Sequence, residues 1–297
     1  MITYFAAPVA KADAFINDDD PVYIEDMLRI PSQYSGLDLI LNSNGGSAIS
    51  AERIINVCQN YVQKHNNGEF RVIVPRVAKS AATIVALGAD KIILCENAEL
   101  GPFDPQIIMK DTKGNFFLKP GFLIINAVKQ LTDNSNSIIS SKNQRFLMFL
   151  NQYNYDIYMN AQNELNLYED IANKILERKK CKYKELAKEE FSIFTDPTKT
   201  LSHGRLISIS DLKNNTKLCS MGFIFDINEY FLEKGEQKLS KHEINRVTDL
   251  IWELYIRKNM LFIDSANPQI KIIEDSNWSF IFSDPKWKNP QTQQQIP

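Results

Sequence analysis

The hydrophobic pattern between residues 37 and 106 predicts strands that alternate with helices. Short apolar runs predict three buried strands, at 37–41, 70–75 and 90–95. Apolar positions at helical spacing after the first run, and small residues after the second, predict helices at about 49–58 and 81–87. This alternation favours parallel β-α-β units.

The rest of the chain is less regular. Turn residues between two apolar runs predict a hairpin over 107–118, and helical spacing predicts a long helix over 145–180. The chain divides by pattern into a 1–35 N-terminal extension, a 36–225 α/β domain, 226–265 C-terminal helices, and a 266–297 C-terminal arm that is partly disordered.

Two turns in the α/β domain carry candidate chemistry. Asn44-Gly45-Gly46-Ser47 follows the first buried strand, and paired glycines let the backbone turn with positive φ and approach a ligand closely. Lys79-Ser80-Ala81 joins the second strand to the small-residue helix. A serine there lies beside the free N–H groups of a helix N-terminus, which favour a developing anion. Ser80 is therefore a candidate nucleophile, although a serine at a helix start also serves as an N-cap.

Composition excludes several classes of function. The formal net charge of −2 gives no basic stripe for nucleic acid. The four cysteines are scattered without C-x-x-C spacing, so we expect no metal site and no cofactor, and reduced thiols in a cytoplasmic protein. No apolar run approaches 18 residues, so we expect no membrane span.

Four sequence blocks in order resemble the Clp/crotonase superfamily, and within it the serine proteinases of the serine dehydrogenase proteinase type, related to signal peptide peptidase SppA and to ClpP. The blocks are Asn44-Gly-Gly-Ser47, Ala78-Lys-Ser-Ala-Ala-Thr83, Ala98-Glu-Leu-Gly-Pro-Phe-Asp-Pro-Gln106, and Ser202-His-Gly-Arg205 followed by Met221-Gly-Phe223. The resemblance covers about residues 36–225. It implies a Clp/crotonase-like spiral of β-α-β units with additional C-terminal helices.

The resemblance also implies a serine peptidase that acts on peptides or proteins. Ser80 is its nucleophile, and the backbone N–H groups of Gly46 and Ala81 form the oxyanion hole. Relatives oligomerise, so we expect a homo-oligomer, and any partner ATPase is unknown from the sequence.

The general base is the open point. The loop that supplies histidine in ClpP has Asp104 here, which we expect to orient its own proline-bounded loop. SppA relatives use a Ser-Lys dyad, since a desolvated lysine can act as a base. By order along the chain Lys142 is the first candidate and Lys129 the second, while His203 is a candidate because it lies in a shared block.

Two other functions stay open. Crotonase-like acyl-CoA chemistry uses the same kind of oxyanion hole, although a serine at the nucleophile turn disfavours it. A catalytically degenerate scaffold or adaptor is the other alternative, because the loop histidine of ClpP is missing.

Overall fold

The computed structural model describes residues 1–8, 12–29, 35–65, 68–111, 113–133, 155–200, 202–234, 239–263 and 269–283. The strands are β1 (Ile2–Ala6), β2 (Leu37–Asn42), β3 (Phe70–Val74), β4 (Val77–Ala78), β5 (Lys91–Leu94), β6 (Glu99–Leu100), β7 (Gln106–Lys110), β8 (Phe116–Pro120), β9 (Ile207–Ser208), β10 (Ile224–Asp226), β11 (Gln269–Glu274) and β12 (Ser279–Ser283).

The longer helices are α1 (Asp20–Leu28), α2 (Ala48–Lys64), α3 (Ala81–Gly88), α4 (Gly121–Asp133), α5 (Tyr155–Lys180), α6 (Ile209–Asn215) and α7 (Lys241–Ile263). Short helical turns occupy Ala12–Ala14, Lys188–Phe191, Ser192–Thr195, Pro197–Thr200, Ile227–Glu229 and Tyr230–Lys234. The predicted strands and helices between residues 37 and 106, and the hairpin now seen as β7 and β8, are confirmed. The first part of the helix predicted over 145–180 lies outside the described residues.

A seven-stranded sheet forms the centre of the molecule, in the order β10-β5-β3-β2-β1-β11-β12. The first five strands are parallel, and β11 and β12 add antiparallel strands beyond β1. Strands β2, β3 and β5 are almost wholly buried, which explains their continuous apolar runs. The predicted α/β class with parallel β-α-β units is confirmed.

A small second sheet positions the candidate chemistry. It has the order β4-β6-β9, with β4 and β6 parallel and β9 antiparallel to β6. Ala78 is paired with Leu100, and Leu100 with Ile207. The segments that follow β4 and β6 and the segment that precedes β9 therefore emerge at one edge of this sheet.

Both ends of the described chain enter the large sheet, which differs from the predicted extension over 1–35 and arm over 266–297. Strand β1 lies between β2 and β11, and residues 269–283 supply β11 and β12. Strand β11 was not predicted because it contains Lys271, and a lysine within a short apolar run argues against a buried strand. In the structure Lys271 is nevertheless 0% exposed.

Lys271 is buried because it forms an ion pair. Its Nζ lies 2.7 Å from Asp20 Oδ1, and the Tyr4 hydroxyl donates to Asp20 Oδ2 at 2.7 Å. The backbone N–H of Asn17 donates to the same oxygen at 2.9 Å. Burial raises the pKa of Asp20, and the charge of Lys271 opposes that shift. This cluster fixes the segment before α1 against β1 and β11.

A second buried lysine joins α5 to the end of α3. Lys179 Nζ donates to the carbonyl oxygens of Gly88 and Ala89 and lies 4.9 Å from the centre of the Phe223 ring. The residue is 4% exposed. Burial is the main cause that lowers the pKa of Lys179 to about 7, while the charge of Asp90 opposes it.

This shift predicts a pH-dependent stability. Between about pH 7 and 10.5 the unfolded chain holds a proton on Lys179 that the folded chain releases, so stability rises with pH in this window and does not change through this group below it. From pH 7.0 to 8.5 the contribution is about 1.5 kcal/mol. Urea unfolding at both pH values should show this gain in the wild type and not in Lys179→Met.

The matched control is Lys174→Met, on the same helix. Lys174 is exposed and paired with Glu52 and Asp170. That variant should keep the wild-type pH dependence. An equal dependence in the wild type and Lys179→Met would contradict the assignment.

Candidate active site

Two backbone segments run side by side at the candidate site. The Ser43 N–H donates to Val77 O at 3.0 Å, and the Lys79 N–H donates to Ser43 O at 3.0 Å. These bonds align the segment after β2 with β4. As a result the Gly-Gly turn and the turn at Ser80, which the sequence singled out separately, lie next to each other.

Ser80 adopts a backbone conformation that is rare for a residue with a side chain. Its φ is 50° and its ψ is −122°. Among the described residues, Ser80 is the one residue other than glycine that has a positive φ. Its side chain makes no capping hydrogen bond, so the N-cap interpretation is not supported. Such a conformation costs about 1–3 kcal/mol and persists where the surroundings impose it. A serine on a strained strand-to-helix turn presents its hydroxyl in the manner of a nucleophile.

The surroundings that impose this conformation include Gly45. A Cβ on Gly45 would lie 2.6 Å from Lys79 O, 2.7 Å from Ser80 Cβ and 2.9 Å from the Ala81 nitrogen. Gly45 also has φ 102°, a region that favours glycine. The two turns therefore touch through backbone atoms, and this contact requires glycine.

Gly46 faces the opposite way, toward the segment before α1. The Ile16 N–H donates to Gly45 O at 2.8 Å, and the Ser47 N–H donates to Ile16 O at 2.9 Å. A Cβ on Gly46 would lie 2.3 Å from Ile16 O. The Gly-Gly turn is held from both sides.

The two predicted oxyanion donors lie in these neighbouring turns. Within the described part of the chain, neither the Gly46 N–H nor the Ala81 N–H donates a hydrogen bond. Gly46 is partly exposed, whereas Ala81 is 0% exposed and Ser80 is 7% exposed. A buried N–H without an acceptor is rare, and donors of this kind are what an oxyanion hole provides.

Thr83 ties α3 to the loop after β6. Its Oγ1 lies 2.7 Å from Ala78 O and 2.9 Å from Gly101 O, and it accepts from the Gly101 N–H at 3.1 Å. This side chain therefore fixes the Ser80 turn relative to the loop that carries Asp104.

Asp104 and His203 form a pair that the sequence did not predict. His203 Nδ1 lies 2.6 Å from Asp104 Oδ1, and the Gln106 side-chain amide donates to Asp104 Oδ2 at 2.9 Å. Asp104 is buried and His203 is partly buried. The hydrogen bond to Gln106 fits the prediction that Asp104 orients its own loop, whereas the hydrogen bond to His203 was not predicted.

The small sheet brings the segments that carry these groups to one end. Ser80 follows β4, Asp104 follows β6 and His203 precedes β9, and β6 is the middle strand. The hydrogen bond between His203 and Asp104 joins two of these segments directly.

The lysine candidates differ in what the structure describes. Lys142 lies outside the described residues. Lys129 is exposed on α4, so it lacks the burial on which a lysine base depends. Lys79 is partly buried. A Cβ built on Gly101 would lie 3.2 Å from its Cβ and 3.1 Å from its Cγ, so the first part of the Lys79 side chain packs against the loop after β6.

An open cleft of about 380 Å³ begins at Gly46 and runs between α2, β7 and α5. One face of α5 lines it with Asn160, Glu164 and Tyr168. These three residues were not predicted from the sequence, although a spacing of four residues places them on one face of a helix. Burial raises the pKa of Tyr168, and the charges of Glu164 and Asp104 raise it further.

Two kinds of site are not found in the part of the chain that the structure describes. No group of His, Cys, Asp or Glu side chains there could hold a metal ion. No described helix is both long enough and apolar enough to cross a membrane.

Comparison with known proteins finds a family match for the N-terminal part of the chain. Residues 1–137 match the family described as ClpP-like SDH-type serine proteinase, and the predicted resemblance is confirmed there. The match ends before Lys142 and His203.

Two uncharacterized proteins of Methanocaldococcus jannaschii are similar over 106 residues. MJ0137 is 41% identical and MJ1495 is 34% identical, in each case over 36% of this chain and 34% of the relative. The matched region thus spans about a third of the length of these relatives.

Two solved mutants of the 1510-N membrane-bound stomatin-specific protease are also similar in structure, each with a TM-score of 0.30. The first is 17% identical and covers 41% of this chain and 58% of that chain. The second, in complex with a substrate peptide, is 19% identical and covers 41% and 55%.

The contact between the two turns predicts that adding one methyl group at Gly45 disrupts the site. Gly45→Ala should displace the Ser80 turn, because the new Cβ overlaps three backbone or Cβ atoms within 2.9 Å. We expect fluorophosphonate labelling of Ser80 to be lost and the free energy of unfolding to fall by about 1–3 kcal/mol. Mass spectrometry of the labelled protein and thermal unfolding measure the two effects.

Gly36→Ala is the matched control, since a Cβ there meets its nearest atom, Glu69 O, at 3.4 Å. It should label like the wild type. Normal labelling of Gly45→Ala would show that the contact does not hold the nucleophile turn.

Proposed function

We propose that this chain, whose residues 1–137 match the ClpP-like SDH-type serine proteinase family, is a serine peptidase with Ser80 as its nucleophile. The observation that carries the proposal is the strained conformation of Ser80, with φ 50°, at a turn packed against the Gly-Gly turn. A structural serine gains nothing from that strain, whereas a nucleophile gains a fixed and accessible hydroxyl.

The proposed reaction is acyl transfer through a tetrahedral intermediate. Ser80 Oγ attacks the scissile carbonyl carbon, and the amine leaves after it receives a proton. The N–H groups of Gly46 and Ala81, which have no acceptor among the described residues, would donate to the developing oxyanion. One such donor typically contributes about 2.7–4 kcal/mol to transition-state stabilisation.

Lys142 is the proposed base. A neutral, desolvated lysine can take the serine proton and return it to the leaving amine. The loop after β6 has Asp104 where the resemblance to ClpP would require a histidine, which supports a lysine as the base. Both Asp104 oxygens are already bonded, to His203 and Gln106, which fits a role in fixing the loop.

The proposed substrates are peptides or proteins, and the expected homo-oligomer remains part of the proposal. The family match supports the peptidase over crotonase-like chemistry. The catalytically degenerate scaffold is the alternative that labelling experiments address directly.

Ser80→Ala should abolish labelling by a fluorophosphonate probe. The hydroxyl is the only group removed and alanine carries the same strain at positive φ, so the melting temperature should stay close to that of the wild type. Ser220→Ala, at an exposed serine, is the control and should label normally. Labelling at another residue, or persistent labelling of Ser80→Ala, would overturn the assignment, and absence of labelling in the wild type would favour the scaffold.

The base is tested by the pH profile of labelling in the wild type, Lys142→Met and His203→Ala. We expect Lys142→Met to lose labelling. We expect His203→Ala to be labelled more slowly than the wild type, because the loop that carries Asp104 loses its bond to His203. A desolvated lysine places the rising limb between neutral pH and about 9, whereas an imidazole places it near about 6.5.

The opposite pattern would reject the dyad. Loss of labelling in His203→Ala, with retention in Lys142→Met, would make His203 the base.

A further inference from the structure

The cleft beside Gly46 is placed to receive a substrate side chain. Its lining includes Gly46 and Ser47 from the Gly-Gly turn, and Asn160, Glu164 and Tyr168 from α5. If the scissile carbonyl binds at Gly46, the side chain next to it extends into this cleft. A volume of about 380 Å³ is sufficient for one long side chain.

The lining of the cleft carries one carboxylate, Glu164, without a counter-ion among the described residues. Glu164 is partly buried, and within the described residues it forms no ion pair. No lysine, arginine or histidine of the described chain lines the cleft. Three other acidic side chains of α5 are paired, Glu169 with Lys188, Asp170 with Lys174 and Glu177 with Lys180.

The neighbouring groups strengthen this potential. Burial raises the pKa of Tyr168, and the carboxylates of Glu164 and Asp104 raise it further, so both charges act on the cleft. The opposite wall is the N-terminus of α2, whose partial positive charge suits a carbonyl rather than a cation. The lining thus combines the helix N-terminus beside Gly46 with the carboxylate of Glu164.

The remaining walls suit the stem of a long basic side chain. Ile107 and Leu167 also line the cleft. Lysine and arginine place an apolar stem against such surface and keep the charged head near a carboxylate. Glu164 has the side-chain amides of Gln106 and Asn160 in the same lining, which supply further acceptors.

We propose that Glu164 determines specificity, and that the cleft selects peptides with an arginine or lysine adjacent to the scissile bond. This inference rests on the proposed peptidase function. The test therefore measures binding, which does not need turnover, and leaves labelling of Ser80 in the wild type as the separate test of the function.

The experiment uses the Ser80→Ala protein and two fluorescein-labelled octapeptides that differ at one central residue, arginine in one and citrulline in the other. Citrulline has the same shape without the charge. Fluorescence anisotropy should show about tenfold tighter binding of the arginine peptide, the size expected for a charge-assisted pair. Adding Glu164→Gln should remove this difference, with the same fold by circular dichroism.

Glu177→Gln in the Ser80→Ala protein is the matched control, on the same helix and outside the cleft. It should keep the preference for arginine. Equal affinity for the two peptides, no measurable binding of either, or a preference that survives Glu164→Gln would each overturn the proposal. Failure of wild-type labelling with an intact arginine preference would reject the peptidase and leave a peptide-binding cleft.

Discussion

The candidate site depends on the close approach of two backbone turns. Gly45 leaves no room for a Cβ against Lys79, Ser80 and Ala81, so the turn after β2 and the turn after β4 fit together as one surface. That contact fixes Ser80 at positive φ and puts the N–H groups of Gly46 and Ala81 in adjacent turns. The sheet supplies the register that brings the turns together, and Thr83 extends the same rigid unit to the loop after β6.

The candidate chemistry is arranged around this unit from parts of the chain that are far apart in sequence. The loop after β6 brings Asp104, and the segment before β9 brings His203 to it across a separation of 99 residues. Helix α5 closes the cleft and contributes Glu164 and Tyr168. Its buried Lys179 caps the end of α3, so the helix that lines the cleft also holds the helix that begins after Ser80.

The sequence predicted the parts of this arrangement that depend on local pattern. Buried parallel strands appear in the sequence as apolar runs, and the Gly-Gly and Ser80 turns follow from residue type. A candidate nucleophile and candidate oxyanion donors could therefore be named. Asp104 and His203 were also named, but their pairing follows from the contact of β6 with β9, which no periodicity encodes. Strand β11 was missed because a buried ion pair with Asp20 makes a fully buried lysine tolerable.

That ion pair also bears on how the protein is made. Asp20 anchors the segment whose Ile16 brackets Gly46, and its partner Lys271 lies 251 positions later in the chain. During synthesis the amino-terminal half leaves the ribosome with Asp20 uncompensated and the Ile16 segment without its final support. The Ile16 segment that brackets Gly46 therefore gains the support of Lys271 only after β11 has been translated.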